Sequence, residues 1–229
     1  MDLSQVAVVI PALNEEISLP GVLASLPEGP RVVVVDNGST DRTAEVARQG
    51  GAQVVNEPRK GYGSAVLAGM AHLADDPPVA LVILDADHAD RPELLPHLVG
   101  PILADVADLV LSDRSRTAAP GALSRPQVFG NAFATALMWG VAGHRFADMG
   151  PFRAIRWSSL MALQMRDPTW GWNVEMQLKA VQHGLRIIER AVPYGARRGG
   201  HSKISGDLQG VFKAGTRIVW AVGRYGFMD

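Results

Sequence analysis

The 229-residue chain contains no cysteine. That excludes thiol catalysis, disulfide staples and cysteine-ligated metals. No charge of one sign is in excess: 22 Lys and Arg stand against 23 Asp and Glu, with no long block of either. Bulk electrostatic binding of nucleic acid is thereby disfavoured. No apolar run reaches the roughly 18 residues that a bilayer span requires. The opening residues, MDLSQVAVVIPALNEE, show neither a basic segment nor a cleavage pattern and run straight into a β-rich stretch. The expectation is a cytoplasmic protein without a transmembrane segment, with peripheral contact at the inner face of a membrane left open. Two phosphate-binding signatures are also missing. No G-x-G-x-x-G follows the first β-rich run and no G-x-x-x-x-G-K-[ST] occurs, which disfavours a dinucleotide site and a P-loop.

What is present suits one sizeable domain, with 47% hydrophobic residues. β-rich runs at Val6–Ile10, Arg31–Val35, Gln53–Val55, Val79–Leu84 and Asp108–Leu111 alternate with helical patterns near Glu15–Ser25, Arg42–Gln49, Ser64–Leu73 and Pro92–Ala104. Continuous apolar strands separated by helices predict an α/β fold, a mostly parallel sheet covered on both faces. Ser39 or Thr40 suits the cap of the second helix. After a small, basic, loop-like stretch, Arg114–Arg125, the alternation weakens. Helices are expected near Pro126–Val141, Val174–His183 and Leu208–Val222, and strands at Pro151–Ile155 and Leu185–Val192.

Ligands bind at the carboxyl ends of the strands in such a sheet. Here those ends read PALNEE, DNGSTD and DADHAD, so acids gather on one edge. Asp85 and Asp87 stand two residues apart. Carboxylates this close repel unless a cation lies between them or one is protonated. Mg²⁺ typically takes one or two carboxylates together with phosphate oxygens and water, so a metal–diphosphate site is one reading of the pair. A solvated turn with Asp90 as the cap of the next helix is the other. His88 is either a metal neighbour or a loop histidine.

The segments VVIPALNEE, VVVVDNGSTDRTAEVA, VVNEPRKGYGSAVLAGM, LVILDADHAD, MGPFRAI and RRGGHSKISG occur in the order seen in family-2 inverting glycosyltransferases of the GT-A fold. The chain resembles the polyprenyl-phosphate (dolichyl-phosphate) mannose and glucose synthases from Val6 to about Gly210. The resemblance implies a single domain, with a nucleotide-sugar half over 1–113 and an acceptor half over 114–229. It implies a hexose donor linked to UDP or GDP, Mg²⁺ or Mn²⁺ as cofactor, and a polyprenyl phosphate as acceptor. Pro11, Ala12 and Glu15 match the first nucleotide-binding segment, where the acid holds ribose, and Asp36 matches the acid at the base. Gly61 matches the loop bordering the nucleotide, with Lys60 placed to meet a phosphate. Asp85 and Asp87 match the D-x-D pair. At Ala89 many relatives have Gln, so a third metal ligand is missing or is supplied by His88.

Arg197, Arg198, His201 and Lys203, with Ser202 as a hydroxyl donor, stand on a glycine-rich turn that suits neutralising a leaving diphosphate, or else form a solvated basic loop. The resemblance matches Arg197, Gly200, Ser202 and Lys203 to the R-x-x-G-x-S-K segment of the polyprenyl-phosphate sugar synthases. Many relatives carry two adjacent acids where this chain has Glu175 and Met176. Loss of the second acid suits an acceptor already ionised, such as a phosphate, which needs little help from a base. Asp148 and Glu175 are candidates for a base, or for anchors of an arginine such as Arg153 or Arg197. Trp170 and Trp172 suit stacking on sugar or acceptor, or packing. The apolar stripe of the last helix suits docking on the domain or on a membrane. Two rivals remain: transfer to the hydroxyl of a small soluble acceptor, with Glu175 or Asp148 as base, and a catalytically silent nucleotide-sugar-binding protein. A pyrophosphorylase is disfavoured by the absence of its glycine-rich signature after the first strand.

Overall fold

The computed structural model describes residues 1–196 and 208–227, and for 208–214 the backbone alone. Seven strands form one sheet: β1 (Val6–Ala12), β2 (Arg31–Asp36), β3 (Gln53–Asn56), β4 (Ala80–Ile83), β5 (Leu109–Asp113), β6 (Arg153–Arg156) and β7 (Ile187–Ala191). Their order is β3-β2-β1-β4-β6-β5-β7. All neighbours run parallel except β6, which is antiparallel to both β4 and β5. Both halves of the chain therefore contribute strands to the same sheet.

The helices are α1 (Leu19–Ser25), α2 (Thr43–Gln49), α3 (Tyr62–Leu73), α4 (Leu95–Leu103), α5 (Arg125–Ala142), α6 (Trp157–Ala162), α7 (Trp172–Gln182) and α8 (Leu208–Tyr225). Alternation along β1 divides the core. Val6, Val8 and Ile10 face a cluster that includes residues of α1, α2 and α4, and Ala7 and Val9 face one that includes residues of α3, α5, α7 and α8.

Several helix starts differ from the sequence-based expectation. α1 begins at Leu19 rather than Glu15. The backbone N–H groups of Glu15 and Glu16 are taken by Thr43 Oγ1 and Asp41 Oδ2, at 2.8 and 3.2 Å, and so serve a loop–loop contact. Neither Ser39 nor Thr40 caps α2; the cap position is Arg42. Ser39 Oγ accepts from Asn14 N–H at 2.9 Å, and Thr40 N–H donates to Asn14 Oδ1 at 2.8 Å. The stretch after Asp90 opens as a 3-10 turn, Pro92–Leu94, before α4, because Pro92 and Pro96 each suit a first turn. α5 is fixed at its start by a reciprocal capping box between Ser124 and Gln127, and at its end by Gly143 at φ 68°. α6 was not anticipated; its six residues follow directly on β6.

Candidate active site

The polar strand ends converge at the carboxyl edge of β1, β2 and β4. Ala12 pairs with Asp36 in register, Pro11 with Val35, and Asn37 N–H donates to Ala12 O at 2.8 Å. Asp36 Oδ1 accepts from Ser39 N–H at 2.9 Å, which turns the loop after β2. Glu15 is buried beside it, with Ser18 Oγ donating to Glu15 Oε2 at 2.6 Å. The Asn37 amide reaches across to the next loop. It donates to the Glu57 and Arg59 carbonyls and accepts from Gly61 N–H at 2.8 Å. Lys60 Nζ donates to Gly38 O at 2.8 Å, so its ammonium lies on the loop that carries Asp36.

Gly61 and Gly63 have a steric reason. Gly61 adopts φ 140°, a backbone that favours glycine. A Cβ on Gly61 would collide with Pro168 O, and one on Gly63 with Asp167 O. The bare backbone instead donates from Gly63 N–H to Thr169 O and from Ser64 N–H to Pro168 O, at 3.2 and 2.9 Å. The start of α3 is thus fused to the loop before α7.

β4 ends at Ile83, and Asp85 and Asp87 follow on the irregular chain beyond it. Asp85 is half-buried. Asp87 is 4% exposed, with Oδ1 accepting from Ala89 N–H at 2.9 Å. These hard oxygens suit Mg²⁺ or Mn²⁺, and no group of three or more Asp, Glu, His or Cys able to hold a metal occurs among the described residues. Two carboxylates fall within the one or two that Mg²⁺ typically takes from a protein, together with phosphate oxygens and water.

His88 contacts α1 with its ring. Its φ is 59°, its ring packs against Gly21, and Nε2 lies 3.3 Å from Ser25 Oγ, on α1. Asp90 is not the expected helix cap, which falls at Arg91. It is buried, and neither carboxyl oxygen has a hydrogen-bond partner among the described residues. Burial, reinforced by the charge of Asp85, pushes its pKa well above the carboxylate range against the pull of Arg114. The same pocket of charge reaches two phenols. Burial and then Asp85 raise Tyr62, and burial and then Asp87 raise Tyr194. Arg153 lies fully inside and finds carbonyls, Met149 O and Gly150 O, rather than a carboxylate. Burial holds its guanidinium down at about 10.

On the acceptor side, both candidate bases are engaged. Asp148 holds Arg114, not Arg153, by a forked pair: Nε to Oδ2 at 2.7 Å and a second guanidinium N–H to Oδ1 at 2.9 Å. Burial works to raise the Asp148 pKa, but the Arg114 bonds outweigh it and leave the carboxyl below its ordinary range. Arg114 also lies 4.9 Å over the Tyr194 ring. Glu175 is fully buried. It accepts from Arg166 N–H at 2.9 Å, Asp167 N–H at 2.7 Å and Lys179 Nζ at 2.7 Å, so it anchors a lysine and a loop rather than an arginine. Trp172 is core, whereas Trp170 is exposed. Arg197, Arg198, His201, Ser202 and Lys203 lie outside the described residues.

Sequence reasoning passed over Arg114 as a site residue, although the basic stretch beginning there was its signal. Arg114 and Asp148 are among the residues that line a groove of about 1010 Å³. Its walls come from α5 (Phe129, Phe133), α8 (Ile218, Val219) and Trp170, and Ser115 and Arg125 add polar groups. No helix among the described residues is long and apolar enough to cross a membrane.

Residues 7–160 match the family described as Glycosyl transferase family 2. The chain is 45% identical to an uncharacterized glycosyltransferase of Mycobacterium tuberculosis over 208 residues, covering 90% of this chain and 92% of that protein. It is 35% identical over 201 residues to the dolichyl-phosphate hexose transferase of Haloferax volcanii, covering 84% of each. Among solved structures it is similar to glucosyl-3-phosphoglycerate synthase of Mycobacterium tuberculosis in complex with Mn²⁺ and UDP-glucose. The TM-score is 0.74 at 25% identity, covering 98% of this chain and 80% of that one. The same synthase is also known with Mg²⁺ and UDP.

Proposed function

Because the chain belongs to glycosyl transferase family 2 and is a glycosyltransferase, we propose that it moves a hexose, with inversion, from a UDP- or GDP-linked donor to a polyprenyl phosphate. The observation that carries the acceptor is the apolar groove between α5 and α8, whose lining includes Arg114, Ser115, Arg125 and Asp148. A polyprenyl chain matches the apolar walls, and a phosphate matches the donors of Arg114, Ser115 and Arg125 that line the same groove. The dolichyl-phosphate hexose transferase supports the same class of acceptor. Work at the inner face of a membrane follows from such a substrate.

On the donor side, Asp36 accepts from the base and Glu15 from the ribose, with Pro11 and Ala12 forming the strand edge beneath them and Gly61 bordering the pocket. Asp85 and Asp87 hold Mg²⁺ or Mn²⁺ on the diphosphate; when bound, that cation neutralises the charge of the departing nucleotide as a Lewis acid. Arg197, Arg198, Ser202 and Lys203 are assigned to the same diphosphate, and Lys60 to the loop above the base. Arg114, held rigid by Asp148 and Tyr194, orients the acceptor phosphate. An acceptor phosphate is already ionised, so its oxygen attacks the anomeric carbon without surrendering a proton. That agrees with a site in which Asp148 and Glu175 are both committed to cations and backbone N–H groups.

A second reading, transfer to a small soluble acceptor, is favoured by the likeness to glucosyl-3-phosphoglycerate synthase. The test has two stages. Thermal stability is measured with UDP, GDP, dTDP and CDP, with and without Mg²⁺ or Mn²⁺. A nucleotide present at a hundred times its Kd should stabilise the fold by about 2.7 kcal/mol, and Asp87→Ala should remove the metal-dependent part. Transfer from the matching sugar nucleotide is then compared between polyprenyl phosphate and phosphoglyceric acid. Preference for the second compound would overturn the lipid acceptor. Nucleotide binding without transfer or slow donor hydrolysis would indicate a silent binding protein.

A further inference from the structure

We propose that the outward faces of α5 and α8 form a docking surface for an anionic lipid bilayer, seating the mouth of the groove on the membrane. The inference deepens the acceptor assignment and rests on it for its purpose, although the surface itself stands on separate observations. α5 is 18 residues long, carries no carboxylate, and has Arg125 as its single charged residue. Its buried residues are Ala134 and Met138. The opposite face would ordinarily be charged, yet Phe129 is 73% exposed and Trp139 47%, with Ala132, Ala136 and Gly140 also exposed. The described part of α8 extends this surface with Val219 and Trp220, the latter 45% exposed, and Phe227 follows its end. The two helices are in contact.

The charged side chains that α5 and α8 themselves carry are all cationic. No Asp or Glu occurs between Asp113 and Asp148, while Arg114, Arg116, Arg125 and Arg145 do; α8 also has no carboxylate. The arginines are paired with the exposed rings. Arg145 lies 4.1 Å over Trp139, and Arg224 5.5 Å from the Trp220 ring. Arg217, 3.8 Å from the same ring, is held by Asp167 at 2.9 Å, so Arg125, Arg145 and Arg224 are the exposed cations of the face. Indole rings settle at the level of lipid headgroups, and guanidinium groups beside them meet phosphates. A second copy of this chain would bring cations against cations. A bilayer with anionic headgroups matches the rings and the arginines together.

The test uses sedimentation with vesicles of phosphatidylglycerol and phosphatidylcholine, or of phosphatidylcholine alone, free of polyprenyl phosphate. Wild type and the exposed-site variants Ala136→Glu, Trp139→Glu and Trp220→Glu are compared, with melting temperatures confirming that each is folded. The wild type should pellet with the anionic vesicles, at least tenfold more weakly with neutral ones or at high salt, and each variant should lose at least tenfold on the anionic vesicles. Transfer to a short, water-soluble polyprenyl phosphate should be unchanged in all three. Failure of the wild type to pellet, or variants that bind as well as it does, overturns the proposal. So does a wild-type dimer that Ala136→Glu dissociates, which would make the face a contact between copies. Pelleting without transfer to any polyprenyl phosphate leaves the docking surface standing and removes the lipid acceptor; transfer without pelleting does the reverse.

Discussion

Glu175 separates an anchoring carboxylate from a catalytic one, and Glu175→Gln tests which it is. Its two carboxyl oxygens take the N–H groups of Arg166 and Asp167 and the ammonium of Lys179, all inside the protein. Glutamine keeps the shape but turns an NH₂ toward at least one of these donors and leaves the Lys179 charge with Gln164 O as its remaining partner. Removing one partner of a buried pair costs about 3–5 kcal/mol. In a chain of this size each kcal/mol moves Tm by roughly 2–4 °C, so a fall of ~6–20 °C is expected. Thermal unfolding is measured first, and turnover is then measured below the lower Tm and normalised to folded protein. Activity should fall by less than the ~100-fold that loss of a general base costs at the least. The double variant Glu175→Gln with Lys179→Met should recover part of the stability, because the uncompensated charge is gone. An unchanged Tm with turnover reduced beyond ~100-fold would refute the anchoring role and make Glu175 the base.

Three further outcomes are expected. Burial and the charge of Asp85 raise the folded pKa of Asp90 above the ordinary 3.8 of its unfolded carboxyl; its contribution to stability is full below that pH and is lost as pH rises through the folded value. Asp90→Asn should therefore stabilise the protein at pH 7 and flatten that decline in urea titrations, and a loss of stability at pH 7 would contradict it. Asp148 has the opposite sign. Its pKa is lowered on folding, so its contribution is present above the ordinary 3.8 and lost as pH falls through the folded value; the gap in unfolding free energy between wild type and Asp148→Asn should close below about pH 4. Gly63→Ala should cost about 1–3 kcal/mol by overpacking against Asp167 O, and Gly140→Ala, where nothing lies within 4 Å, should gain about 0.5–1 kcal/mol as a helix-interior replacement; equal urea midpoints for the two would remove the steric account.

The parallel core was legible because runs such as VVVV and LVIL are buried on both faces and admit few other structures. The gathering of acids at the carboxyl ends of β1, β2 and β4 was legible because those strand ends are continuous with apolar runs in the sequence. Boundaries failed where a side chain or N–H serves a neighbouring loop instead of its own helix, as at Ser39, Thr40 and Glu15. Asp90 has the sequence position of a cap, and only its burial distinguishes it from one. The roles of Asp148 and Glu175 depend on which cation stands opposite, and Arg114 is 34 residues away in the chain from its partner. The direction of β6 is likewise absent from RAIR, a run too short to carry it.

That reversed strand governs the order in which the protein can be built. β5 touches no strand of the first half directly; β6 lies between it and β4. A nascent chain can pair β1 to β4 early, but β5 has no inner neighbour until Arg153–Arg156 has left the ribosome and inserted. Until then two apolar edges, Ala80–Ile83 and Leu109–Asp113, stand open for about 40 residues of synthesis, or a few seconds at ~5–20 residues per second. Unpaired edges of this kind are the ones chaperones cover. Cutting the chain at 113 would leave a fragment with that edge permanently exposed rather than an independent nucleotide-binding domain.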